Sequence, residues 1–435
     1  MAEKIISPGV FTNEIDQTFL PSAVADIGAA LIGPTLKGPA GIPTIVTSFS
    51  DFQAKFGDVF KSGSDSVQFL TSHAAEEYLK NSSTLTVVRI MADGGGAVGP
   101  AEATITSSVS GVDAYVSSSF TLETLGDGTI MNNFQTAAST NSVLTNGSKH
   151  NIRYEITSKN DKKGTFSLSI RAGNDNEKRK QALETYNNLT LDPNSPNYIS
   201  KVIGDQKQNV KDDNGTKYIE LSGSYANKSR FVRVKSVITP TIDYLDENGV
   251  ISNDAYSASL PAVGSGSSLG GFDGGTDGHS GFNGAGVQGG DIGQAVNFYE
   301  NITETNSQGF NPTVAADGLD SYIQALDLLA NQDEFDINLI LMPGIIDSLH
   351  TSVASKAIDV CESRGDCFTV IDPVPFNSTL AQATARGDER DSNFAAMYWP
   401  WVKVPDSQLA GAQRWVPPSV VMGGIYAFND RVAHP

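Results

Sequence analysis

Residues 337 to 372 constrain the fold more than any other stretch. "INLILMPG" (337–344) is an apolar run that ends in a proline-glycine turn. "DSLHTSVASKAIDVCESRG" (347–365) follows, with Leu349, Val353, Ala357 and Cys361 at helical spacing and Gly365 as a stop. Asp347 or Ser348 fits the capping position at its start. "CFTVIDPVP" (367–375) is a second apolar run. Strand, helix and strand in this order make a βαβ unit, which requires a parallel pair joined by a right-handed crossover.

The same texture occurs near the start. The apolar run from Ile27 to Ile32 reads as a strand, Gly33-Pro34 and Gly38-Pro39 as turns, and Ile45-Val46 as the start of the next strand. "SFSDFQAKFGD" predicts a helix with Ser50 as its cap and Gly57 as its end, and Phe49, Phe52 and Phe56 share one face. "DSVQFLTSHAAEEYLKNSS" predicts another helix, with Val67, Leu70, Ala74 and Tyr78 on one side, and "TLTVVRIM" a buried strand. "DGLDSYIQALDLLA" (317–330) predicts a helix that resumes the α/β pattern late in the chain.

Between these blocks the texture changes. "AEATITSSVS", "AYVSSSFTLETL", "HNIRYEITSK" and "GTFSLSIRAG" alternate at period two and predict strands. "NEKRKQALETYNNL" carries Ala182, Leu183, Tyr186 and Leu189 on a stripe and predicts a helix. "SPNYISKVIGD" predicts another, capped by Ser195 with Pro196 at its first position. "YIELSGSY" and "RFVRVKSV" are further strands, and residues 264–291 form a glycine-rich loop. The closing "NDRVAHP" shows no terminal helix.

The resulting fold class is mixed multidomain α+β and α/β: a core α/β domain of helices on a mixed sheet, with a β-rich insertion domain. Its expected divisions are an extended arm (1–20), a core part (21–95) completed by 310–435, a β-rich surface insertion (96–175), and a middle domain (176–309) containing the glycine-rich loop.

Charge narrows the function. The 435 residues hold 30 Lys and Arg against 49 Asp and Glu, a formal net charge of -19. Such a chain is repelled by nucleic-acid phosphate and by anionic membranes, so neither is an expected partner. No apolar run is long enough to span a bilayer, so no membrane insertion is expected. Cys361 and Cys367, the two cysteines, lack a neighbouring His or second Cys pair, and read as ordinary reduced thiols.

Catalytic signatures are weak. Gly266-Ser267-Ser268-Leu269-Gly270 has the form of a nucleophile elbow, yet lacks the strand before it and the helix after it. Asp273, Asp277 and His279 share that loop without calcium-loop spacing. Asp347 and Asp372 follow strands, so they are candidates for one crevice at the carboxyl ends of a sheet, although a capping and a turn role compete. No Walker, dinucleotide-binding or H-E-x-x-H sequence occurs. The expectation is no enzyme, no cofactor and no metal. "AAMYWPWVKV" and "QRWVPPSV" place Trp399, Trp401 and Trp415 near prolines, as core, interface or a sugar platform.

Several segments together resemble the contractile tail sheath proteins of myoviruses, most closely the T4-like group. They are "SPGVFTNEID", "AALIGPTLKGPAGIPTIVTSFSDFQAKFG", the stretch from "GTFSLSIRAG" to "SKVIGD", "AAMYWPWVKVPD" and "RWVPPSVVMGGIYAFNDRVAHP". Their order from residue 7 to the end makes the resemblance specific. It implies a structural virion protein: hexameric rings of this chain stacked as a helical sheath around a tail tube, assembled in the host cytoplasm. Contraction would drive the tube through the host envelope. It also implies contacts with tube, baseplate and tail terminator proteins. Family arms add strands to a neighbour's sheet. The arm side chains expected to anchor here are Val10, Phe11 and Ile15. Family chains continue past the position of Pro435, so this one is expected to be shortened there. A hydrolase or a carbohydrate-binding module, using the glycine-rich loop or the late aromatics, is the competing expectation.

Overall fold

A computed structural model describes residues 28–62, 65–92, 98–107, 118–128, 152–173, 175, 178–264, 271–277, 302–405 and 413–433. The arm residues Val10, Phe11 and Ile15 lie outside them, as do Ser268 and His279.

Strand β1 (Gly28–Gly33) is buried at every residue. Ala29 and Leu31 enter one apolar cluster and Ala30 and Ile32 another, so the strand is covered on both faces. β2 (Thr44–Val46) follows, then α1 (Phe49–Phe56). Ser48, not Ser50, caps α1; its hydroxyl accepts the Asp51 N–H at 3.2 Å. A hairpin of β3 (Val59–Ser62) and β4 (Asp65–Gln68) leads to α2 (Leu70–Leu79). The helix expected from Asp65 onward therefore starts five residues later. Its first amide, Leu70 N–H, donates to Gln308 Oε1 at 2.8 Å, so a residue far along the chain fixes the start. β5 (Leu85–Arg89) pairs parallel with β1.

The next segment is mostly strand: β6 (Val98–Thr106), β7 (Ser118–Asp127), β8 (Ile152–Asn160), β9 (Thr165–Ala172) and β10 (Ala182–Thr190). Then come α3 (Ile199–Ile203), β11 (Lys207–Asp213), β12 (Thr216–Ser222), β13 (Val232–Val237), α4 (Asp254–Ser259) and β14 (Thr276–Asp277). From Ala182 onward, the helix expected over 176–189 is strand β10. Leu183 stays 42% exposed while Leu189 is buried, so the stripe is not a buried face, and Asn188 at φ 57° interrupts helical geometry. The open edge of β9 takes the backbone hydrogen bonds instead.

α3 is also shorter than expected. Tyr198 precedes it, and Ser195 accepts the Asn197 N–H outside the helix. β13 pairs with β7, and one core holds Ile105, Phe120, Phe166, Leu189, Val232 and Phe272, so backbone pairing and packing both cross the division expected at residue 175. Within the segment expected as a surface insertion, hydroxyls of Thr121, Ser167 and Ser169 belong to buried residues.

The chain then completes the first sheet with α5 (Leu319–Leu329), β15 (Ile337–Ile346), α6 (Thr351–Arg364), β16 (Phe368–Asp372), α7 (Leu380–Asp388) and β17 (Ala395–Met397). The strand order is β17-β16-β15-β1-β5-β2, all parallel except β2. Residues 28–89 and 337–397 thus share one sheet. His350, rather than Asp347 or Ser348, precedes α6, and Gly365 closes it in the left-handed region at φ 73°. Side chains of α5 and α6 form the core on one face, and those of α1 and α2 on the other.

A two-stranded sheet of β18 (Val402–Pro405) and β19 (Gln413–Val416) precedes α8 (Ser419–Ala433). The sequence reading missed α8, because Gly423 and Gly424 are poor helix formers. Packing overrides that propensity. A Cβ on Gly424 would lie 2.6 Å from Glu77 O, and one on Gly423 2.4 Å from a Leu341 methyl, so α8 sits tightly on α2 and β15.

Arg89, fully buried at the end of β5, ties the sheet to the inserted segment. It donates to Gly38 O at 2.6 Å, Thr35 O at 3.2 Å and, in β7, Asp127 O at 2.8 Å.

Candidate functional site

Parallel sheets gather polar groups at the carboxyl ends of their strands. Here Asp347 and Asp372 meet, as the sequence suggested: the Asp347 N–H donates to Asp372 O at 2.8 Å. Their side chains, however, serve different neighbours.

Asp347 is fully buried beneath α7. Arg386 Nε donates to its Oδ2 at 2.6 Å, and Arg390 Nη2 to its Oδ1 at 2.5 Å. Arg390 Nε adds a bond to Oδ2 at 3.2 Å, and Arg386 Nη2 one to the Asp347 carbonyl at 3.1 Å. The same guanidiniums reach Thr351 Oγ1 at 3.0 Å and Ser355 Oγ at 2.8 Å in α6. Arg386 also pairs with Glu389. Two guanidiniums thus fill three of the roughly four acceptor sites of a carboxylate that is wholly buried.

Asp372 caps α8 from β16. Its Oδ1 accepts the Ser419 N–H at 2.9 Å and its Oδ2 faces the Ser419 hydroxyl at 2.5 Å. Complete burial raises its pKa to about 7, against the two Ser419 hydrogen bonds that favour the charged form. Beside it, His350 is neutral. Its Nδ1 accepts the Ile346 N–H at 3.1 Å and its Nε2 lies 3.0 Å from Thr303 O. Burial pushes its pKa down to about 4. This cluster closes the end of the sheet by joining β15, β16, α7 and α8. It has the titratable groups of a catalytic crevice, but their atoms are spent on the fold.

The remaining candidates have similar fates. Asp273 exchanges backbone hydrogen bonds with Glu102. Among the described residues, no group of three His, Cys, Asp or Glu side chains is arranged to hold a metal. Cys361 and Cys367 are buried free thiols; a hydrogen bond between them, together with burial, pushes the Cys361 thiol up.

The tryptophans do not form one platform. Trp401 is buried, donates to Val374 O at 3.2 Å and packs on Phe376 with ring centroids 5.5 Å apart. Trp415 packs on the other side of Phe376, also at 5.5 Å, under the Lys403 ammonium. Trp399 alone is exposed. These rings fasten β18–β19 to the sheet.

Among the described residues, β18 and β19 pair only with each other. On α8, which runs from Asp372 back towards Asn338 and Phe368 at the starts of β15 and β16, Ile425, Phe428 and Val432 are 50%, 49% and 62% exposed, and their i, i+3, i+7 spacing makes one apolar stripe. Sequence reasoning missed this stripe with the helix that carries it. It also missed Arg386, in the last turn of α7, and Arg390, just past its end, whose four-residue separation was the available signal.

No family model matches this chain, and no curated protein matches it. Among solved structures it is similar to a sheath tail protein from Desulfitobacterium hafniense, at 14% identity and a TM-score of 0.38, over 97% of this chain and 62% of that one. It is also similar to a sheath tail protein from Listeria innocua, at 10% identity and a TM-score of 0.44, over 94% of this chain and 57% of that one. The chain spans less than two thirds of the length of either protein.

Proposed function

We propose that this chain is a structural subunit of a contractile phage tail sheath, not an enzyme. Copies of it would form hexameric rings stacked around a tail tube, as a virion component assembled in the host cytoplasm. Rearrangement of those copies would shorten the sheath and drive the tube through the host envelope. Baseplate and tail terminator proteins would bound the polymer. The finer resemblance to the T4-like group belongs to the same reading.

The reading rests on β18–β19. A two-stranded sheet that pairs with no further strand among the described residues can accept an extended segment through main-chain hydrogen bonds, which hold copies together while rigid bodies rotate. Residues 1–20 would supply that segment from a neighbouring copy, anchored by Val10, Phe11 and Ile15. The β-rich segment would face outward.

Sedimentation velocity over a concentration series tests this. The chain is expected to self-associate, and deletion of residues 1–16 to abolish association while leaving far-UV circular dichroism unchanged. A chain that stays monomeric, or one that associates equally well without residues 1–16, argues against the proposal.

A further inference from the structure

Apolar packing holds the two faces of the parallel sheet, but α7 adds little to it. Ala383 is its single buried residue, and Leu380 is 59% exposed. Burying one alanine contributes little, since the hydrophobic effect scales with apolar area. The ties that hold α7 to β15 and α6 are instead the Arg386 and Arg390 bonds described above, and they converge on the carboxylate of Asp347.

α7 also closes its first turn with its own side chains. A reciprocal capping box joins Thr379 and Gln382: the Thr379 N–H donates to Gln382 Oε1 at 2.8 Å, and the Gln382 N–H to Thr379 Oγ1 at 3.4 Å. Gly387 weakens the last turn, and no steric demand explains it, because a Cβ there would meet nothing within 4 Å.

We propose that residues 379–390 are a strap latched by Asp347, which opens as a unit while β15, β16 and α6 stay folded. The physical basis is a mismatch of forces. Removing one partner of a buried ion pair costs far more than the pair contributes as a whole, because the surviving charges are left uncompensated. Asp347 is the charged acceptor that both arginines share, so losing it weakens both ties at once, while the bonds to Thr351 and Ser355 are left to neutral acceptors. An element with little apolar burial and a discrete electrostatic tie belongs to the low-stability end of a fold, from which moving parts are drawn. This inference does not depend on the polymer reading.

Hydrogen exchange followed by mass spectrometry on the full chain tests it. Asp347→Asn is expected to speed exchange in 379–390 by about tenfold or more, with amides of 337–346 and 355–364 changed less than about twofold. Arg390→Gln, which removes a partly exposed guanidinium and leaves Asp347 paired with Arg386, is expected to act in the same direction by a smaller factor. If Asp347→Asn unfolds the chain, Arg390→Gln decides. Unchanged exchange in 379–390 overturns the proposal. So does an equal acceleration across α6 and β15, which would make the cluster an ordinary part of the core.

Discussion

Arg89→Met measures how strongly the sheet and the inserted segment depend on each other. Methionine fills much of the arginine's volume and brings no donor. The substitution removes this donor from the carbonyls of Thr35, Gly38 and Asp127, which now accept at 3.2, 2.6 and 2.8 Å; Gly38 O keeps the Asp127 N–H at 3.0 Å. An unsatisfied buried polar group costs about 1–3 kcal/mol, so the loss at the other two carbonyls costs about 2–6 kcal/mol before the turn relaxes. Relaxation of residues 35–38 and entry of water bring the expected loss to about 4 kcal/mol, within the range for breaking a buried charged contact. The loss also reaches Asp127, whose pKa burial already raises against the charge of Arg89; its Oδ2 accepts the Ala40 N–H at 2.8 Å. Urea unfolding provides the assay. Trp399, Trp401 and Trp415 are the chain's three tryptophans, and all lie in or beside the parallel sheet, so their fluorescence reports that part alone. Far-UV circular dichroism reports the whole chain. The variant is expected to unfold at lower urea by fluorescence, and its two transitions to separate. A loss below about 1 kcal/mol, with transitions still coincident, would refute the reasoning.

Two buried groups give opposite pH dependences. His350 has a folded pKa lowered to about 4, so the unfolded chain binds more protons, and the stability it permits is lost as pH falls from about 6.5 towards 4. Asp372 has a folded pKa raised to about 7, so the folded chain binds more protons, and stability is lost as pH rises from about 4 through 7. In Asp372→Asn, stability measured by urea unfolding is therefore expected to rise with pH across that window; in His350→Gln it is expected to fall, and parallel profiles would contradict both assignments. Gly424→Ala places a methyl 2.6 Å from Glu77 O, and the displacement of α8 from α2 is expected to cost about 1–3 kcal/mol in thermal or urea unfolding. A neutral Gly424→Ala would mean that α8 does not need the close approach.

Sequence alone determined the elements whose forces are local or uniform. β1, β5, β15 and β16 were legible as short apolar runs, because a parallel strand covered on both faces needs apolar residues at nearly every position. The ends of α1 and α6 were legible in Gly57 and Gly365, whose positive φ favours glycine. The acidic balance and the weak catalytic motifs pointed away from nucleic acid and from chemistry.

Tertiary structure alone decided the features whose partner lies elsewhere in the chain. The stripe over 182–189 fits a helix until the free edge of β9 competes for its backbone. Gly423-Gly424 argues against a helix until α2 and β15 come within contact. Leu70 begins a helix because Gln308 supplies the acceptor. Asp347 reads as a helix cap or a crevice carboxylate until Arg386 from α7 and Arg390 from just past its end occupy both its oxygens. Periodicity and capping are written over a few neighbouring residues. The satisfaction of a buried charge, an open strand edge or a close helix contact depends on groups that only the folded chain brings together.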